Sequence, residues 1–209
     1  MIKKNKILSR VFRVNHEKYK KHYKLITNDY FKNMSNIKNL SFIFALSKNL
    51  KLSCKKIINV ANKFKQLDFR QQIIYRSKKL IVINDSKSTS FSSTLPLLKS
   101  FKNIYWILGG MSKKGDKLKL NIKYFRNIKA YIYGKDKLFF SRILSNKISY
   151  KISSNLNYSL FKVFEDLIKE EEKLKIILFS PSAASFDQFN NFEHRGKYFN
   201  KIIRKYLKK

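Results

Sequence analysis

The sequence predicts an α/β fold, a mostly parallel sheet flanked by helices on both faces and preceded by a separate helical segment. Three observations predict it. Apolar residues recur at helical spacing from Ser35 to Phe64, and strand-like runs begin only after Leu67. Beyond that point short runs rich in Ile, Val and Tyr alternate with helical runs, the pattern of successive strand–helix units. Hydrophobic residues make up 44% and aromatic residues 15% of the 209, enough to build a buried core.

Taken in order, residues 1–31 are basic with short apolar alternations such as Ile7-Leu8 and Val11-Phe12, which suit one or two strands or a frayed segment. Ile37, Leu40, Ile43, Phe44 and Leu46 then mark one helix, with Ser35 or Asn36 as its N-cap. A second helix spans Ser53 to Phe64 with Ile57, Ile58, Val60 and Phe64 as its stripe. A boundary near Leu67–Arg70 separates residues 1–66 from residues 67–209. The segments QQIIYR and KLIVIND form a hairpin or two successive strands around Ser77-Lys78-Lys79. A helix over Ser90–Phe101, which tolerates Pro96, leads to a strand at 103–110, a polar loop at 111–118 and a weak helix near 119–126. A strand at 129–134, a helix at 136–145 and a strand at 147–152 follow. The helix at 158–172 carries Leu160, Phe161, Phe164, Leu167 and Ile168 on one face. A strand at 174–180 and a helix from about 187 to 207 complete the chain.

Composition narrows the function classes. The single cysteine, Cys54, excludes an internal disulfide and reads as a small buried hydrophobe. No run of 18 apolar residues occurs and no apolar block follows the basic N-terminus, so the expectation is a soluble, cytoplasmic chain without a membrane partner. With 47 basic and 13 acidic residues the net charge is +34, which raises the question of a polyanion partner. The basic residues are mostly lysines spread along the whole chain, and Asn, Ile, Phe and Tyr abound while glycines number five. An A+T-rich genome encodes that mixture, whereas a nucleic-acid site clusters its charge and favours arginine. A basic nucleic-acid-binding module is therefore the lesser alternative. His16 and His22 lie in the basic N-terminal stretch and read as solvated; His194 has no metal-binding neighbour, so no metal site is expected.

In sheets of this class ligands bind beyond the carboxyl ends of the strands, which singles out the loops at 84–89, 110–115 and 180–189. Asn84-Asp85-Ser86-Lys87-Ser88-Thr89 lies where a strand gives way to a helix, and a helix N-terminus favours anions. There Ser88 and Thr89 can cap the helix or donate to a carboxylate, and Asp85 can accept from a hydroxyl. Read alone, the segment is rather a capping box with solvated charges. Gly109-Gly110-Met111-Ser112-Lys113 lets the backbone bend and presents a cation, and by itself is an ordinary turn. Ser180 to Gly196 opens with small residues after a buried strand and leads into the last helix.

Together the three pieces resemble the C-terminal domain of the Mur ligases. They supply Ile83-Asn84-Asp85-Ser86-Lys87-Ser88-Thr89, then Leu108-Gly109-Gly110 with Lys113, then Ser180-Pro181 through Ser185-Phe186-Asp187-Gln188-Phe189 to Phe192-Glu193 and Arg195-Gly196. The last string has the form carried by the family's D-glutamate-adding branch, and Arg70 stands at the spacing of the arginine in the family's L-P-H-R element. The resemblance covers about residues 34 to 209. It implies a Rossmann-like domain at 67–209, preceded at 1–66 by a partial helical remnant of the family's central ATPase domain.

The resemblance also implies an ATP-dependent ligase of peptidoglycan precursor synthesis, which activates the carboxylate of UDP-N-acetylmuramoyl-L-alanine as an acyl phosphate and adds D-glutamate. It assigns Thr89, Lys113, Ser185, Phe186 and Phe192 to D-glutamate, and Asn36, Asn39, Arg70, Asp85 and Lys87 to the nucleotide. ATP and Mg2+ are the cofactors it carries, yet no G-x-x-G-K-[ST] phosphate loop occurs in this sequence and the family's metal ligands have no counterpart. Ser35 and Phe69 stand where the family has histidines. The expectation is a C-terminal portion without activity of its own, or one half of a split ligase. D-glutamate is its partner, and ATP and the UDP-sugar join only if another chain supplies the missing domains.

Overall fold

The computed structural model describes residues 13–32, 34–65, 67–169 and 174–208. The chain divides into two compact units, Met1–Lys65 and Gln66–Lys209. The expected strands at Ile7-Leu8 and Val11-Phe12 lie outside the described residues.

In the first unit every regular element among the described residues is helical. A 3-10 turn, His16–Tyr19, runs into the short α1, Lys20–Tyr23, and a second 3-10 turn, Asp29–Lys32, precedes α2, Met34–Asn49, and α3, Cys54–Lys63. The strands considered for this stretch do not form at residues 13–31. Ser35 and Asn36 fall inside the first turn of α2 rather than at its cap. Of its expected stripe Leu40 and Phe44 are buried, while Ile43 and Leu46 are exposed. The small core here is Ile26, Leu40, Phe44 and Ala61, closed by Tyr19, Tyr23, Phe31, Ile57 and Ile58. Val60 is exposed, and so is Cys54, against the expectation of a buried thiol. The reason is positional: Cys54 is the first residue of α3, ahead of the turns that touch α2. His16 and His22 are half-buried rather than solvated. The His22 ring lies 5.0 Å from Phe44, and His16 reaches Glu17 at 3.1 Å.

The second unit is a six-stranded sheet in the order β1-β2-β6-β3-β4-β5. The strands are β1, Gln72–Arg76, β2, Leu80–Asn84, β3, Ile104–Gly109, β4, Ile128–Tyr133, β5, Ser149–Ile152, and β6, Lys175–Phe179. β1 and β2 form the antiparallel hairpin, with Ser77 closing the turn onto Leu80; all other neighbours are parallel. β3 is buried along its whole length because strands flank both edges and helices cover both faces, which is why it reads as an unbroken apolar run.

The two faces of the sheet sort by alternation. Ile104, Trp106 and Leu108 face α4, Phe91–Ser100, and α5, Lys137–Leu144. Tyr105 and Ile107 face α6, Leu156–Ile168, and α7, Phe192–Leu207. Each fully buried large side chain here contributes about 1.5–3 kcal/mol. On α6 the buried set is Leu156, Ser159, Leu160 and Val163, whereas Phe161 and Ile168 are exposed. That helix is apolar on more than one side, and only the sheet decides which side is buried. The weak helix near 119–126 is a 3-10 segment, Ile122–Asn127. The last helix starts at Phe192 rather than near residue 187, because Ser185–Gln188 forms a separate turn and Asn191 caps α7 through the His194 amide.

Candidate functional site

β2 and β6 are parallel neighbours whose following helices, α4 and α7, lie on opposite faces of the sheet. Such a reversal opens a crevice at the carboxyl ends of the two strands. The three loops singled out by sequence gather there and at the adjoining end of β3.

The loop after β2 is fastened from below. The Asp85 amide donates to Phe179 O at 2.7 Å. Its carboxylate accepts from the Gln71 amide at 3.0 Å and from the Ser180 hydroxyl at 2.7 Å. Asp85 is only 5% exposed. Burial lifts its carboxyl to about 7, against the opposing pull of Ser180, Gln71, Arg70 and Arg195. The Ser88 hydroxyl is buried in a chain that runs through Thr94 (2.6 Å) to Ser180 (2.8 Å) and Ser182 (2.7 Å). The α4 cap is Ser90, which exchanges hydrogen bonds with Ser93, and not Ser88 or Thr89. Thr89 is left exposed at the entrance to the helix.

The loop after β3 depends on two glycines. Gly109 and Gly110 have φ of +135° and +130°. A Cβ on Gly109 would lie 1.9 Å from Tyr133 O, and one on Gly110 would lie 2.4 Å from Ala184 O. This close approach lets Met111 pair with Ala184, the two residues exchanging amide-to-carbonyl bonds at 3.0 and 2.8 Å. Ser112 is anchored by its amide and hydroxyl, each 2.7 Å from the Asp136 carboxylate, and these bonds hold that carboxyl below its usual range. Lys113 follows at once, exposed.

The loop after β6 completes the group. Ser185 is buried and Phe186 beside it is 71% exposed. Phe192, first residue of α7, is half-buried, and Lys87 Nζ sits 3.7 Å from its ring centroid. That contact joins a residue assigned to the nucleotide with one assigned to D-glutamate. An open cleft of about 700 Å³ continues from Met111 and Phe186 past Gly134, Lys135, Lys137 and Ser154. Arg70 is exposed, and Phe69 is buried against Gly196, where an added Cβ would come within 2.3 Å of its ring.

In the first unit Asn36 and Asn39 both line a cavity of about 280 Å³ walled by Tyr30, Phe31, Ile43 and Phe64. The Asn36 side chain donates to Tyr30 O at 2.6 Å. Ser35's side chain lies outside the described part. Among the described residues no three His, Cys, Asp or Glu side chains come together as a metal site would require.

One residue in this region escaped the sequence reading. Arg195 is fully buried beneath the loops and bonds to two of them. The only sequence signal was its place in the last string, since arginines are ordinarily exposed.

No family model matches the chain. It is similar to UDP-N-acetylmuramoylalanine–D-glutamate ligases, at 36% identity over 185 residues to that of Rickettsia prowazekii, covering 88% of this chain and 41% of the relative. The corresponding enzyme of the Wolbachia of Brugia malayi is 37% identical over 171 residues, 82% of this chain and 34% of the relative. The chain thus spans about two-fifths or less of the length of these relatives. A crystal structure of a UDP-N-acetylmuramate–alanine ligase from Thermotoga maritima superposes with a TM-score of 0.58 at 15% identity, covering 84% of this chain and 38% of that one. A pseudomurein peptide ligase of Methanothermus fervidus gives 0.53 at 18%, over 83% and 36%. At those identities the structural likeness is one of fold. On its sequence relatives the chain belongs to the Mur ligase family.

Proposed function

We propose that this chain is the amino-acid-binding C-terminal portion of a D-glutamate-adding ligase of peptidoglycan precursor synthesis, with residues 1–66 corresponding to the end of the ATPase domain. The observation that carries the reading is the convergence of the three signature loops, joined by the Met111–Ala184 pairing and the Lys87–Phe192 contact. Lys113, Thr89 and Ser185 offer one cation and two hydroxyls, the donor set that a dicarboxylate needs. Phe186 and Phe192 supply apolar walls. Together these residues would hold D-glutamate with its amine turned towards the activated carboxyl of UDP-N-acetylmuramoyl-L-alanine, which is catalysis by positioning.

For the nucleotide, the cavity that Asn36 and Asn39 line together with Tyr30, Phe31 and Phe64 has room for an adenine. ATP bound there would supply the phosphoryl group that activates the carboxyl. In the second unit, Arg70 and Lys87 offer cations for phosphate or ribose oxygens, whereas Asp85 acts from beneath by fixing the loop that carries Lys87. The residues described here do not fit a magnesium ion. The whole ligation is proposed for an assembly that also contains the segments present in the longer relatives, and such an enzyme would work in the cytoplasm, where ATP is available.

Calorimetry tests the reading: D-glutamate should bind the chain, and Lys113→Ala should weaken that binding by about tenfold or more, the loss of one charge-assisted bond. Absence of heat for the unmodified chain at millimolar D-glutamate would remove the pocket from the account.

A further inference from the structure

A buried arginine usually meets a carboxylate, and Arg195 does not. Its exposure is 0%. Nε donates to the Ser86 hydroxyl at 3.1 Å, and Nη2 donates to Ser86 O at 2.7 Å and to Ala183 O at 3.0 Å. Nη1 has no hydrogen-bond partner and faces Gly110, where an added Cβ would come within 3.3 Å of it. The Tyr133 hydroxyl, at the end of β4, is likewise buried and lies beside the guanidinium, interacting with it short of good hydrogen-bond geometry. One side chain thus touches the loop after β2 at Ser86, the loop after β6 at Ala183 and the loop after β3 at Gly110.

Burying a cation whose hydrogen bonds all go to neutral acceptors is costly, even with the Asp187 and Asp85 carboxylates acting on it through space, and an apolar side chain of similar volume would fill the same space with less penalty. What an apolar residue cannot do is bridge two loops with directed bonds. Only the planar guanidinium fork reaches Ser86 and Ala183 from one anchor while lying flat against a glycine. The glycine fits the same design, since a side chain at Gly110 would press on the guanidinium as well as clash with Ala184 O.

We propose that Arg195 is the positioning residue of this site, locking the three strand-end loops in one register so that Lys87, Lys113, Ser185 and Phe192 face a common ligand. The ligand part of this inference rests on the dicarboxylate reading above; the locking of the loops does not.

The test uses the full chain and its Arg195→Lys, Arg195→Met and Ser86→Ala variants. Hydrogen exchange reads the loops without any ligand. Segments 85–90, 109–113 and 180–189 should all exchange about 10- to 100-fold faster in Arg195→Met, the size of effect that outer-shell partners commonly carry, while β3 stays slow. Ser86→Ala, which removes the acceptor of Arg195 Nε and the donor to Phe192 O, should loosen 85–90 and spare 109–113. Carboxyl NMR supplies a signature that packing alone would not move: the Asp85 titration should shift upward in Arg195→Met and stay near that of the unmodified chain in Arg195→Lys, which keeps the charge. D-glutamate affinity should fall in the order Lys then Met. Loops that exchange as in the unmodified chain in a folded Met variant would overturn the proposal, as would loosening confined to 180–189. If Arg195→Met does not fold, the Lys and Ser86→Ala variants decide through the same exchange pattern. Failure of the unmodified chain to bind D-glutamate would sink the functional reading and leave the loop measurement to judge Arg195.

Discussion

Lys87 Nζ lies 3.7 Å above the ring centroid of Phe192, a cation–π contact between the loop after β2 and the first turn of α7. It spans the crevice where the two strands send their helices to opposite faces, so it reports directly on whether that crevice is formed. Phe192→Leu keeps apolar bulk and loses the π face. It should cost the fold no more than about 1 kcal/mol. Phe192→Ala should weaken D-glutamate binding about tenfold, as the loss of an aromatic wall implies. Thermal melts and calorimetry on the two variants separate these effects, and equal affinities in all three proteins would count against Phe192 as a pocket wall.

Asp85 predicts a pH dependence. Its carboxyl is raised from 3.8 to about 7 by burial, so between those values the folded chain holds a proton that the unfolded chain has released. The stabilising contribution is therefore complete below the unfolded value and is lost as pH rises to about 7. Denaturant unfolding at pH 4.5 and 7.5 should show the unmodified chain losing more stability over this interval than Asp85→Asn, by an amount on the order of a few kcal/mol. Equal losses would show that the buried carboxyl is ionised throughout.

Gly196 and Phe69 predict a coupled pair. A methyl group on Gly196 would lie 2.3 Å from the Phe69 ring, so Gly196→Ala should cost about 1–3 kcal/mol through overpacking. Phe69→Leu in the same chain should recover part of that loss, because it vacates the contested space. A double-mutant cycle measures the coupling, and additive costs would mean that Phe69 does not press on α7 in solution.

Cys54 predicts a chemical outcome. It is exposed at the start of α3, so the native chain should take up one equivalent of maleimide without denaturant. A mass shift seen only after unfolding would place the thiol in the interior.

Much of this protein could be read from the chain alone, and the reasons are local. The sheet strands declared themselves because a strand buried on both faces must be continuously apolar, as Ile104 to Leu108 is. The ends of β2, β3 and β6 could be marked as the candidate site because ligand loops follow the carboxyl ends of parallel strands and because three short strings resemble one family. Thr89, Lys113, Ser185 and Phe192 were proposed in this way, on the family resemblance.

Tertiary structure decided what spacing leaves open. Phe161 and Ile168 sit at helical spacing with Leu160 yet face outward, since a helix with apolar residues on several sides takes its buried face from its neighbour. Val60 and Ile43 are exposed for the same reason. Asp85 reads in sequence as a surface acceptor, and its burial follows from the Ser180 hydroxyl and the Gln71 amide, neither of which is its neighbour in the chain. Arg195 could not be singled out by type or spacing, because its role depends on Ser86, Ala183 and Gly110 arriving from three separate strands. The sequence by itself determined the elements and the family, through periodicities and strings that are local. The order of the strands, the buried side of each helix and the lock beneath the site depend on contacts between distant residues, and those exist only once the sheet has assembled.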